Sequence, residues 1–259
     1  MKFVSTRNSA KELNFEEVVL QGLASDGGLY VPASLPKFSD EEIKNFKKLS
    51  YPELFFEVTK YFIDGEIPEK TYQELVNKSY KKFSHSAIAP LKQLDDKEFL
   101  LELFHGPTLS FKDYSLQVVG NLFEHVLKKE KKRITIIGAT SGDTGSAAIN
   151  ACKNKSTMEL FIFHPYKKVS NIQRRLMTTV KSKNIHNIAI RGNFDDCQKI
   201  VKKLFVDEDL KNKFYFSAIN SINWARILFQ IIYYFLLLVQ KAQISNFLYY
   251  QLELYLNVR

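Results

Sequence analysis

Hydrophobic positions along this chain follow two textures. Up to about residue 84 they recur three and four apart, between capped starts and glycine stops, which is helical spacing. Asn14-Phe15-Glu16-Glu17 opens one helix that stops at Gly22, and Ser39-Asp40-Glu41-Glu42 opens a second. Pro52–Phe62 reads as a third, ended by Asp64-Gly65, and Glu69–Phe83 as a fourth. Ser25-Asp26-Gly27-Gly28 is a turn into a short extended piece ending at Pro32. From about residue 85 the pattern changes. Glu98–Phe104 is strand-like, and a helix runs from Lys112 to about Lys129. Arg133–Gly138, Glu159–His164 and Ile185–Ile190 are short apolar runs of the kind that form buried parallel strands. Helical stretches alternate with them, at Asn171–Val180, at Asp195–Phe205 and after the small-residue segment Ala139–Ala148. This alternation predicts βαβ units and a parallel sheet with helices on its faces, hence an α/β fold class.

Ile227–Val239 is strongly apolar but shorter than the roughly 18 residues of a membrane span, so a buried helix and no membrane partner are expected. The composition is that of a soluble globular protein, with 45% hydrophobic and 25% charged residues. The net charge of +9 changes the picture little. Its basic runs, Lys128–Arg133 and Lys167-Lys168, are short, broken by acid and not interleaved with aromatics; they read as solvated faces rather than a nucleic-acid surface. Cys152 and Cys197 have no metal-ligand spacing, so no metal is expected. Two lone cysteines and an N-terminus without a signal-peptide core fit a reduced, cytoplasmic protein.

Candidate chemistry sits in two places. In His105–Gln117, HGPTLSFKDYSLQ, the turn residues Gly106 and Pro107 and the potential caps Thr108 and Ser110 precede Lys112. That lysine stands at a helix opening, where the macrodipole disfavours a cation. The second place, Ala139-Thr140-Ser141-Gly142-Asp143-Thr144-Gly145, follows a buried strand and begins a helix. Free amides there suit a carboxylate or phosphate, and Thr140, Ser141 and Thr144 add hydroxyls. A tight turn capped by Asp143 or Ser141 explains the same residues. The spacing fits neither a Walker A loop nor a dinucleotide fingerprint. A lysine beside an anion cradle at the C-terminal end of a parallel strand suits a carbonyl cofactor held as a Schiff base, and pyridoxal 5'-phosphate meets that description.

Several stretches together resemble the threonine synthase family. They are STRNS near the start, GLASDGGLYVP at 22–32, LFHGPTLSFKD at 103–113, GATSGDTGSAA at 138–148, NIQRRLMTT at 171–179, NIHNIAIRGNFDDCQ at 184–198 and AINSINWARIL at 218–228. The resemblance implies a tryptophan-synthase-β-like fold (fold type II of the pyridoxal-phosphate enzymes). It implies a mostly helical region over 1–84 and a cofactor-binding α/β region over 85–240. It also implies the reaction, in which O-phospho-L-homoserine and water give L-threonine and phosphate by β,γ-replacement. Lys112 is then the Schiff-base and proton-shuttling lysine, helped by partial burial and cationic neighbours. The turn Ser141, Gly142, Asp143 and Thr144 contacts the cofactor. Thr140, Ser141 and Thr144 serve the substrate carboxylate, and Asn220, Ser221, Asn223 and Arg226 serve anion binding. Arg226 also reads as a helix-surface ion pair. His105 reads as a structural hydrogen bonder, and Asp113 as a helix-start acid or supporting partner.

In this family a Pro-Thr-Gly-Asn-Phe-Gly-Asp stretch that binds the cofactor phosphate follows the apolar helix. The tail KAQISNFLYYQLELYLNVR does not contain it. Codons for Tyr250–Glu253 exist that, read two nucleotides along, encode Pro-Thr-Gly. The expectation is therefore a frameshift near residue 245, an aberrant tail over 241–259 and an incomplete C-terminal large domain. On that view the apolar face of Ile227–Val239 lies bare and promotes self-association, and cofactor binding and turnover are weak. A non-catalytic fragment with at most a binding role is the competing class, and a sibling dehydratase or cysteine synthase the third.

Overall fold

A computed structural model describes residues 1–219 and 223–241. The chain begins with β1 (Phe3–Ser5), α1 (Phe15–Gln21) and β2 (Tyr30–Pro32), followed by α2 (Asp40–Phe46), α3 (Tyr51–Ile63) and α4 (Glu69–Tyr80). A hairpin follows, β3 (Leu91–Gln93) and β4 (Phe99–Leu101), then the long helix α5 (Lys112–Lys129). The α/β portion runs β5 (Ile134–Ala139), α6 (Asp143–Cys152), β6 (Met158–Pro165), α7 (Asn171–Thr178), β7 (Ile185–Ile190), α8 (Phe194–Val206), α9 (Glu208–Lys213) and β8 (Phe216–Ser217). Two helices close the described chain, α10 (Trp224–Leu228) and α11 (Ile232–Lys241).

Local sequence explains most of these starts. Asn14 and Ser39 form capping boxes with Glu17 and Glu42, each satisfying amides at a helix start. Glu42 does more. It accepts from the Tyr61 hydroxyl at 2.7 Å and from the amide and hydroxyl of Ser39, both at 2.8 Å. These bonds, the Tyr61 hydroxyl foremost, hold its carboxyl down at about 2. A depressed carboxylate stabilises the fold above its unfolded value and loses that contribution as the pH falls through the folded value. Glu42→Gln is therefore expected to flatten the acid-unfolding curve between pH 4.5 and about 2, with little change at neutral pH; urea midpoints measured across that window check it.

Strands β7-β6-β5-β8 form a four-stranded parallel sheet in that order. The chain leaves β5 toward β6 and β7 and later returns to the other side of β5 as β8. The C-terminal end of β5 is thus the topological switch point, where open α/β sheets leave a crevice for ligands. Helices α5 and α6 pack closely, with no room between them for a side chain at Gly120, whose Cβ would lie 2.6 Å from the Ala151 carbonyl oxygen. Helix α8 covers the opposite side, where Cys197 joins Ile137 and Phe163 in a small second core.

The apolar segment is buried, as its composition predicts, but it is not one helix. It is broken, because i→i+3 bonds such as Gln230 N–H to Ile227 and Ile231 N–H to Leu228 tighten the chain between α10 and α11. It is also covered. Leu228, Phe229, Ile232, Phe235, Leu236 and Val239 are buried, and Phe235 packs edge-on against Phe38 and Phe46 while Phe229 meets Phe55. The expectation of a bare face driving self-association is corrected: the N-terminal helices supply its partner surface. Among the described residues no helix is long and apolar enough to cross a membrane. The expected aberrant tail, from residue 242 on, lies outside the described residues.

Candidate active site

The loop before α5 is built around Asp113. This buried carboxylate accepts from the Thr108 amide at 2.7 Å and the Thr108 hydroxyl at 2.8 Å, with Gln117 at 3.4 Å. Burial pushes its carboxyl up, and the donors from Thr108 oppose that. A Cβ on Gly106 would lie 2.5 Å from that of Asp113, so only glycine lets the turn close. Tyr114 anchors the same turn from below, its hydroxyl donating to Ile88 O at 2.6 Å. Thr108 and Ser110 are not conventional caps; Thr108 serves Asp113, and Ser110 Oγ accepts the Lys112 amide at 3.3 Å. His105 pairs with Glu102 at 2.8 Å, a structural bond. With Asp113 and Tyr114 turned inward, Lys112 faces the end of β5.

There Lys112 Nζ meets Asp143 Oδ2 at 3.3 Å and lies 4.7 Å from the Phe111 ring centroid. Its side chain is 18% exposed, the carboxylate's 46%. Partial burial of the lysine agrees with the sequence, but the charged group facing it is an anion, not the expected cation. That anion offsets the unfavourable dipole at the start of α5.

The β5–α6 turn combines both sequence alternatives. Its cap position is Gly142, with φ 145° and no side-chain cap. Thr140 Oγ1 instead accepts the amides of Gly142 at 3.0 Å and Gly145 at 2.9 Å from a buried position. The amides of Ser141, Asp143 and Thr144 take no acceptor among the described residues, so a partly open anion site remains. Thr140 Oγ1 organises this turn from within as an acceptor.

The fourth group divides. Asn220 and Ser221 lie outside the described residues. Asn223 is fully buried, donating to Val19 O at 2.7 Å and accepting the Ala225 amide at 3.0 Å. Both ends of its amide are used to cap α10 and tie it to α1, so the expected anion contact is corrected to a structural one. Arg226 is buried, its Nε has no hydrogen-bond partner, and no carboxylate among the described residues pairs with it. The surface ion pair considered for it is thereby corrected. Burial pulls its basicity down, and the nearby Tyr233 phenol opposes that. Tyr233 itself donates to Phe111 O at 3.0 Å, on the backbone beside Lys112.

Two participants escaped the sequence. Tyr233 was concealed in an apolar run. Gln173, within the NIQRRLMTT motif, donates to Asp143 Oδ1 at 2.5 Å. Nothing in one-dimensional spacing sets α7 against α6. Among the described residues no cluster of His, Cys, Asp and Glu is arranged to hold a metal.

Comparison with known proteins identifies the family and the fold. Residues 2–80 match the family described as Threonine synthase N terminus, and residues 86–244 the family described as Pyridoxal-phosphate dependent enzyme. Threonine synthase of Pseudomonas aeruginosa is 54% identical over 235 residues, covering 91% of this chain and 50% of the relative. The Saccharomyces cerevisiae enzyme is 46% identical over 246 residues, covering 89% and 48%. Among solved structures, pyridoxal-phosphate-bound threonine synthase from Brucella melitensis superposes with a TM-score of 0.91 at 44% identity, covering 95% of this chain and 53% of that one. The yeast enzyme gives 0.88 at 43%, covering 95% and 51%. The chain spans about half the length of the curated relatives it matches.

Proposed function

Since the chain belongs to the pyridoxal-phosphate-dependent enzyme family and carries a threonine synthase N-terminal region, we propose that it serves the conversion of O-phospho-L-homoserine and water to L-threonine and phosphate. The observation that carries this reading is Lys112 Nζ facing the open start of α6, at the switch point of the sheet. The residues present fit the aldehyde and ring-hydroxyl side of pyridoxal phosphate. They offer a partly buried primary amine, a carboxylate beside it and uncommitted amides at a helix start. When bound, the cofactor supplies an electron sink for negative charge developing on substrate carbons.

The chain's own groups have separate tasks. Lys112 would hold the cofactor by its aldehyde carbon, and its amine would take and return protons at Nζ. Asp143 holds Nζ in place. The amides and hydroxyls of Ser141 and Thr144 receive the substrate carboxylate, assisted by the dipole of α6. Arg226, with Asn220 and Ser221, receives the phosphate that leaves.

The test uses the full-length protein. It is incubated with pyridoxal phosphate, reduced with borohydride, digested and read by mass spectrometry, while threonine and phosphate are measured from O-phospho-L-homoserine. The expected result is one modified peptide containing Lys112 and equal release of both products. Modification elsewhere, or a loaded lysine with no threonine formed, sinks the proposal.

A further inference from the structure

The geometry assigns Gln173 as a positioning residue: it fixes Asp143 and thereby places Lys112, an inference that rests on the proposed role of that lysine. Asp143 is the first residue of α6 and its side chain is nearly half exposed. An ion pair between groups this accessible holds its partners weakly, since each can turn to water instead. A second anchor is needed to keep one carboxylate orientation, and Gln173 provides it.

Gln173 Nε2 donates to Asp143 Oδ1 at 2.5 Å, leaving Oδ2 for Lys112 at 3.3 Å. The glutamine is itself locked. Its Oε1 accepts the Ser170 hydroxyl at 3.0 Å, and its amide N–H donates to that same Ser170 oxygen at 3.2 Å. Because the Asp143 carboxylate only accepts, the amide NH2 must face it, and Oε1 is left for the Ser170 hydroxyl, which can donate; the flipped arrangement would set Oε1 against Asp143. Gly142 makes room for this. A Cβ there would lie 2.4 Å from Cδ and Oε1 of Gln173, so the amide rests directly on the bare turn. The order Ser170, Gln173, Asp143, Lys112 therefore runs from the start of α7 to the start of α5. It joins the segments after β6 and β5 with the helix that carries the lysine.

The experiment replaces the donor but keeps the shape, with Gln173→Met, and compares it with Asp143→Ala and with the double variant. Two readouts are taken on the full-length protein. One is the rate of borohydride-trapped attachment of pyridoxal phosphate to Lys112, by mass spectrometry. The other is kcat and KM for O-phospho-L-homoserine. Gln173→Met is expected to slow attachment and lower kcat about tenfold, with KM changed less than about twofold and Tm within about 2 °C, as for a misplaced group that makes no substrate contact. In the Asp143→Ala background it is expected to have no further effect, because its action passes through that carboxylate. Ser170→Ala, which frees Oε1 while leaving Gln173 in place, is expected to act in the same direction with a smaller loss, and it decides the matter if Gln173→Met folds poorly. Unchanged attachment and kcat, or a loss that multiplies that of Asp143→Ala, overturns the inference while the proposed function stands. A parent protein that attaches no cofactor at Lys112 overturns the proposed function, and this inference with it.

Discussion

Lys112→Ala is expected to lose cofactor attachment entirely and to lower turnover by roughly three orders of magnitude or more, the scale of a lost nucleophile and proton carrier combined. Lys112→Arg is expected to fare no better. Arginine preserves a cation opposite Asp143 but offers no amine that can bond to an aldehyde, so the pair separates chemistry from charge. Neither change is expected to disturb the fold. The ion pair with Asp143 joins two partly exposed groups and contributes about 0–1 kcal/mol at most. The turn itself is held by the next two residues, through Asp113 with Thr108 and Tyr114 with Ile88. Tm should therefore stay within a few degrees of the parent. Substantial turnover in Lys112→Ala, or reduced cofactor found on another lysine, would show that the catalytic amine lies elsewhere. A large fall in Tm would show instead that the lysine is part of the scaffold.

The division of labour between Lys112 and its neighbours also explains what the sequence could disclose. Strands β5, β6 and β7 and helices α5, α7 and α8 are legible because each is a continuous segment whose apolar period or β-branched run is set locally. The hairpin β3–β4 is only half legible. In Leu91-Lys92-Gln93 only the half-buried Leu91 is apolar, and the segment is a strand because Phe99–Leu101 lies across from it. Strand β8 has two residues and exists through its pairing with Thr135 and Ile136. Its position beyond β5 makes the end of β5 a switch point, and no local pattern contains that fact.

The site divides along the same line. The lysine at the start of α5 and the glycine-bearing turn at the start of α6 are local features and were readable. Their meeting depends on packing between α5 and α6, and the acid at the lysine's side depends on which way Asp143 points. Residue type alone misassigned Asn223, because an asparagine before a helix can face a ligand or cap the helix, and here Val19 O and the Ala225 amide use both ends. The apolar run at 227–239 read as a buried helix, and a bare face was expected only because its partner elements were taken to lie in an incomplete large domain. Its cover comes from Phe38, Phe46 and Phe55, nearly two hundred residues earlier in the chain.

Arg226 is the second residue whose replacement should have a large effect, and here stability and activity are expected to move in opposite directions. A buried guanidinium is desolvated, and that cost is normally offset by a carboxylate or by a full set of hydrogen bonds. Arg226 has an unpartnered Nε and no carboxylate among the described residues. Burial disfavours its charged form, while the Tyr233 phenol favours it only through its own partial charge. Arg226→Met keeps much of the side-chain volume and removes the charge. It is therefore expected to raise unfolding stability by about 1–2 kcal/mol, at the lower end of what replacing buried ionic groups with apolar ones yields. The same change should lower kcat/KM for O-phospho-L-homoserine by about a hundredfold, the scale of a lost charge-assisted hydrogen bond to a buried anion. Inorganic phosphate gives an independent measure, since it should inhibit the parent protein competitively and Arg226→Met far less. Urea denaturation and steady-state kinetics on one preparation settle the matter. If Arg226→Met is less stable and binds substrate normally, the arginine is a structural cation whose partner is the protein itself. If it is more stable and loses both substrate affinity and phosphate inhibition, then the fold maintains an unpaired buried charge at a cost in stability because an anion is to be bound there.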